Sequence, residues 1–203
     1  MAVIQSRAFD NKMSNLLILT GPSGVGKDAV VDLLIETDYP ILRPPTMTTR
    51  APRPGEIEGI HHFFVDAEKF QEHVDKRDLL EDAYVYGNRY GVPRQSVDSA
   101  LQDGSDVVIR VDVQGALSLS KLFKEACFVS LETESLDILR NRLKGRATES
   151  FEVIESRIAV AEEEIRAARE FCHVLVNYED DLGRTVRELV QLLQRHSGKL
   201  TVN

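Results

Sequence analysis

A chain of 203 residues, 42% hydrophobic and 29% charged, has the makeup of a globular protein and is long enough for one domain with an insertion or for two small ones. Its net charge of −8 argues against a general nucleic-acid or anionic-membrane partner, although a local arginine cluster can still hold a nucleotide. No apolar run approaches the ~20 residues that span a bilayer, and Cys127 and Cys172 sit in apolar contexts without metal spacing, as free thiols of a reducing compartment do.

Residues 1–14 carry no signal-peptide core and read as a loose leader. Leu16-Leu17-Ile18-Leu19 then predicts a buried parallel strand. It runs into Gly21-Pro22-Ser23-Gly24-Val25-Gly26-Lys27, the spacing of a phosphate-binding loop, and on to a helix starting near Gly26. Glycines let backbone N–H groups close on phosphate oxygens. The helix N-terminus adds partial positive charge, and Lys27 reaches the outer phosphates. Asp28 stands where a Mg²⁺-binding Ser or Thr is usual.

After a proline-broken extended passage at 39–45, residues 46–97 change character and predict an inserted lobe of mixed strands. Its expected pieces are strands around His62-Phe63-Phe64-Val65 and Tyr84-Val85-Tyr86, with a short helix marked by Phe70, Val74, Leu79 and Leu80. The main layer resumes with a strand from Asp106 to Asp112, followed by strands at 127–131 and 173–177 with helices between. Alternating strands and helices predict a doubly wound parallel sheet, with ligands beyond the carboxyl ends of its strands. In the strand 106–112, alternation puts Val108, Arg110 and Asp112 on one face, toward the start of the loop helix. Arg110 is therefore expected to pair with Asp28. The basic run Arg140, Arg142, Lys144 and Arg146 is either a solvated helix face or a set of cations for phosphoryl transfer. The helix expected over 149–170 carries an apolar stripe of Ile154, Ile158, Ala161, Ile165 and Ala168. Arg157 lies about 60° from its centre. His61-His62 is a poor metal pair, because neighbours on a strand point to opposite faces.

These segments together resemble the guanylate kinase family over about residues 16–193, in the subgroup with Asp after the loop lysine. The motifs are Gly21 to Lys27, Thr48-Thr49-Arg50-x-Pro52-Arg53-x-Gly55-Glu56, Tyr86-Gly87-Asn88-Arg89-Tyr90-Gly91, Asp112-Val113-Gln114-Gly115-Ala116, Gly145-Arg146-x-Thr148-Glu149 and Val176-Asn177. The resemblance implies a P-loop core of residues 15–45 and 98–203, a GMP-binding lobe of 46–97 and a helical lid at about 140–157. It implies Mg²⁺- and ATP-dependent phosphorylation of GMP and dGMP by a cytoplasmic monomer or homodimer, with no nucleic-acid or membrane partner. Lys27, Arg142, Arg146 and Arg157 take the catalytic positions. Gly21, Pro22, Ser23, Gly24, Val25, Gly26, Lys27, Asp28 and Asn177 match ATP contacts. Thr46, Arg50, Arg53, His62, Glu81, Tyr90 and Asp112 match GMP contacts, and Asp28 and Asp112 are the candidate metal ligands. His62 stands in place of a phosphate-binding Tyr, and Val92 in place of a guanine-holding Ser or Thr. Asp28 either holds Mg²⁺ or only pairs with Arg110. Two alternatives are a binding module of the same fold without activity, and a small-molecule kinase acting on a ribose bisphosphate.

Overall fold

A computed structural model describes residues 15–85, 87–145 and 151–196. In chain order it opens with β1 (Leu16–Thr20), α1 (Lys27–Glu36), β2 (Ile41–Leu42), β3 (Thr46–Thr48), β4 (His62–Phe64), α2 (Ala67–Asp75), β5 (Leu79–Val85) and β6 (Asn88–Pro93). It continues with α3 (Arg94–Gln102), β7 (Asp106–Arg110), α4 (Val113–Leu122), β8 (Cys127–Glu132), α5 (Leu136–Lys144), α6 (Phe151–Ala168), β9 (His173–Val176) and α7 (Leu182–His196). Among the described residues no helix is long and apolar enough to cross a membrane.

Five strands form a parallel sheet in the order β2-β7-β1-β8-β9. Its central strand β1 is buried on both faces, which is why Leu16 to Leu19 are aliphatic in a row rather than alternating with polar residues. Leu17, Leu19 and Val108 face one core with Val30, Val31 and Leu34 of α1, Leu139 and Leu143 of α5, and Leu189 and Leu193 of α7. Leu16, Ile18, Val107 and Ile109 face the other, with Val97 of α3 and Ala116 and Leu119 of α4. Of the expected α6 stripe, Ile154, Ile158, Ala161 and Ala168 are buried, and Ile165 is half-buried. One buried carboxylate ties the base of the sheet together. Asp106 accepts from the Asn15 backbone N–H at 2.9 Å, from Asn15 Nδ2 at 2.8 Å and from the Tyr39 hydroxyl at 2.6 Å. A buried charge is tolerable only with its acceptor sites so filled.

The second sheet has the order β4-β3-β6-β5, antiparallel except between β3 and β4. It holds the main departures from the sequence expectations. Leu79 and Leu80 do not extend the helix of Phe70 and Val74. The chain leaves α2 at Lys76, takes a left-handed φ of 57° at Arg77 and enters β5, which starts five residues before the expected strand. β3 and β6 have no apolar run of their own and become strands by pairing. The strand expected to end at Asp112 ends at Arg110, because Asp112 instead caps α4, accepting from Gly115 N–H at 2.7 Å. The helix expected over 149–170 is described over Phe151–Ala168. The leader, Tyr86, Arg146, Thr148 and Glu149 lie outside the described residues.

Candidate active site

The loop between β1 and α1 turns on three glycines with positive φ: Gly21 at 136°, Gly24 at 84° and Gly26 at 99°. The reason is close approach as much as backbone freedom. A Cβ on Gly21 would strike the Leu131 carbonyl oxygen of β8, and one on Gly26 would strike the Asn177 amide. Lys27 folds back onto its own loop, donating to the Gly21 carbonyl and, at 3.1 Å, to that of Pro22. Burial, and after it the charge of Arg110, pulls its pKa down to about 8. The ammonium is thus poorly solvated and held by carbonyl oxygens, which phosphate oxygens can replace.

Two cations close on the same loop. Arg142 of α5 donates to the Val25 carbonyl at 2.9 Å and pairs with Glu179 at 2.8 Å. Arg157 of α6 donates to Ser23 Oγ at 2.7 Å. Asn177, buried after β9, donates to the Val25 carbonyl at 2.7 Å, and Thr185 of α7 donates to its Oδ1 at 3.3 Å. Asn177 therefore braces the loop, whatever else it touches. The basic run divides by function. Arg142 reaches the loop, whereas Arg140 ties α5 to α6 through Glu155 at 2.7 Å.

Asp28 and Arg110 meet as alternation predicts, at 2.9 Å. Arg110 shares the β7 face of Val108, toward α1, and the first turn of α1 carries Asp28. Their side chains are 63% and 38% exposed, so solvent screens the pair. A double-mutant cycle of Asp28→Ala and Arg110→Ala on kcat/KM is expected to show a coupling of about 0.5–1 kcal/mol. Additive effects would mean that the pair does no functional work.

On the second sheet a clamp forms around Arg50. Its guanidinium makes a bidentate pair with Glu56, both distances 2.6 Å, and its Nε donates to the Tyr90 hydroxyl at 3.1 Å. Glu56 also accepts from the Arg53 backbone N–H at 2.8 Å, and the Arg50 hydrogen bonds hold its pKa down to about 2. The Arg53 side chain is exposed. His62 lies 3.3 Å from Arg50 Nη2 and 2.7 Å from Thr46 Oγ1. Glu81 of β5 is largely buried, and a Cβ on Gly115 would come within 2.9 Å of its carboxyl carbon. Burial first, then the charges of Asp112 and Asp82, push its pKa up to about 7. Val92 pairs with Glu81 across β5 and β6 and is buried. Arg110 acts by charge on both Lys27 and His62, which puts it between the loop and the clamp.

Three contributors went unassigned in the sequence. Glu56 was visible within its motif, but its pairing with Arg50 depends on a turn. Glu164 of α6 faces Lys27 by charge, and burial raises its pKa. Glu179, which holds Arg142, has no sequence signal at all. Among the described residues no three His, Cys, Asp or Glu side chains cluster as a metal cage. A Mg²⁺ ion held mostly by substrate phosphates and water needs only one or two carboxylates. Asp28, solvent-exposed and with its Oδ1 on Arg110, is one such carboxylate. Asp112 already spends one oxygen on its helix cap.

A phosphate-binding loop and an arginine clamp, with a half-buried carboxylate beside them, is the arrangement of a kinase that phosphorylates a second nucleotide. The comparisons with known proteins agree with it. The guanylate kinase family model matches residues 13–196. A guanylate kinase of Corynebacterium glutamicum is 42% identical over 187 residues, covering 91% of this chain and 97% of the relative. The chloroplastic/mitochondrial guanylate kinase 2 of Oryza sativa subsp. japonica is 38% identical over 192 residues, covering 93% of this chain and 67% of that protein. The crystal structure of guanylate kinase from Anaplasma phagocytophilum superposes with a TM-score of 0.71 at 27% identity, covering 92% of this chain and 87% of that one. With the loop intact and the family model spanning nearly the whole chain, the protein belongs to the guanylate kinase family.

Proposed function

We infer that this chain transfers the γ-phosphoryl group of ATP to GMP, and to dGMP, giving ADP and the corresponding diphosphate. The observation that carries the reading is the pairing of an intact loop, with Lys27, Arg142 and Arg157 on it, and a separate clamp of Arg50, Tyr90 and His62. Phosphoryl transfer passes through a transition state with charge spread over the equatorial oxygens, so positioned cations are the main requirement. Lys27 exchanges its carbonyl partners for β- and γ-phosphate oxygens. Arg142 and Arg157, which already touch the loop at Val25 and Ser23, serve the same charge, and Arg146 belongs to the same group. Arg50, with Arg53, Tyr90 and His62, holds the GMP phosphate as the incoming nucleophile. One of its oxygens attacks Pγ and the β–γ bridging oxygen leaves with ADP.

Glu81 reads the base, because a carboxylate accepts from guanine N1–H and the 2-amino group together and adenine presents no such pair. Thr46 reads the remaining edge, and Asp112 stands by the base and phosphates. Asn177 lies toward the adenine of ATP. Mg²⁺, when bound with ATP, would neutralise phosphate charge, and Asp28 with Asp112 would be the carboxylates to hold it. Residues 46–97 act as the acceptor lobe and about 140–157 as the lid, in a cytoplasmic enzyme that works as a monomer or homodimer without nucleic acid.

A coupled assay with ATP, Mg²⁺ and a panel of GMP, dGMP, AMP, UMP and a ribose bisphosphate tests the reading. GMP and dGMP are expected to be turned over, with AMP at least a hundredfold poorer in kcat/KM. Equal rates on AMP, or no turnover of GMP, would reject it.

A further inference from the structure

His62 sits where the phosphate clamp meets the base-reading hydroxyl. A guanidinium only donates hydrogen bonds. The His62 nitrogen facing Arg50, Nε2, is therefore the bare one and accepts, at 3.3 Å. The ring proton is left on Nδ1, where it donates to Thr46 Oγ1 at 2.7 Å. Charged groups act on the ring from four sides: Arg50 beyond β3, Glu56 in the following turn, Arg110 at the end of β7 and Arg43 after β2. Burial and the three arginines oppose a second proton, and Glu56 alone favours it, which brings the pKa down to about 4. The Phe64 and Tyr90 rings meet the imidazole edge to face, and the Tyr90 hydroxyl is engaged by Arg50.

The space beside Nε2 already holds one anion, since a Glu56 oxygen lies 3.9 Å from it. A phosphate monoester taken up by Arg50 puts more anionic oxygen there, against a nitrogen lone pair. The conflict has two resolutions. The ring can exchange tautomers, but Nδ1 then becomes an acceptor and takes the Thr46 hydroxyl hydrogen away from the base. The other resolution keeps both contacts. We propose that His62 gains a proton from solvent when the phosphate of the acceptor nucleotide binds, donating to it through Nε2 while Nδ1–H stays on Thr46. This rests on the reading that GMP is the nucleotide held by Arg50. The phosphate neutralises the arginine charge that opposes protonation and supplies a new opposite charge. Since the complex then holds the extra proton, the His62 contribution to GMP affinity weakens as pH rises above the free value of about 4, by up to about tenfold per unit, until the bound ring itself titrates.

Calorimetric titration of GMP into the whole protein without ATP, at pH 6.5 in two buffers of different ionisation enthalpy, counts the protons taken up. His62→Gln keeps an N–H donor at the place of Nε2 and cannot titrate. Proton release by Glu81 and by the phosphate is common to both proteins and cancels in their difference. The wild type is expected to take up more protons per GMP than the variant. A second readout needs only the wild type: the His62 Cε1–H resonance, assigned through its contacts with Thr46 and Phe64, should move to the imidazolium position with GMP and not with guanosine. Equal proton counts, or an unmoved resonance in the presence of bound GMP, overturn the proposal in favour of tautomer exchange and leave the kinase reading standing. Failure of both proteins to bind GMP while ATP still binds removes that reading and the proposal with it.

Discussion

Replacing Lys27 with Met is expected to lower kcat by at least about 10²–10³-fold, the loss seen when one preorganised donor to a developing anion is removed. Steady-state turnover of GMP at saturating ATP measures it. GMP affinity should hardly change, because Lys27 stands on the ATP loop and not on the clamp. Stability should move the other way or stay level. The Lys27 pKa in the fold, about 8, is below its usual value of 10.5, so the folded protein binds this proton less tightly than the unfolded chain does. The penalty is full below pH 8 and disappears as pH rises to 10.5. At pH 7 the methionine variant removes it, and its melting temperature should equal or exceed that of the wild type. A variant that loses both activity and several degrees of Tm would show that Lys27 holds the loop together rather than serving the reaction.

Glu81→Gln is expected to cut kcat/KM for GMP by about 10²–10³-fold and to leave the poor rate with AMP unchanged. Two hydrogen bonds to a charged acceptor are each worth about 1.5–3 kcal/mol, and the glutamine amide presents a donor to the 2-amino group. Here too function and stability oppose each other. Burial holds the Glu81 pKa near 7 against a usual 4.5, so the fold binds this proton more tightly than the unfolded chain. The resulting penalty is absent below pH 4.5, grows between 4.5 and 7 and is full above 7. Chemical denaturation at pH 8 should therefore find Glu81→Gln more stable by roughly 1–3 kcal/mol, a gain that vanishes at pH 4. An unchanged GMP:AMP ratio would remove Glu81 from the base pocket.

The sequence by itself determined the parallel sheet and the phosphate-binding loop. A buried two-faced strand must be aliphatic, and Leu16 to Leu19 can be little else. A loop that wraps phosphate needs glycines at fixed spacing, so Gly21, Gly24, Gly26 and Lys27 are legible one by one. Strand alternation was enough to bring Arg110 toward Asp28.

Tertiary structure alone decided the rest, wherever a residue's role depends on a partner far along the chain. β3 and β6 carry no apolar period and exist because β5 and β4 offer free edges to pair with. Asp112 reads as a strand end, yet the start of α4 claims its carboxylate. Glu179 holds Arg142 across 37 residues, Asn177 reaches Val25 across 152, and no local pattern marks either contact. The tautomer of His62 is a property of position in the same sense. It is set by Arg50 on one nitrogen and Thr46 on the other, and those two meet only after β3 and β4 have paired.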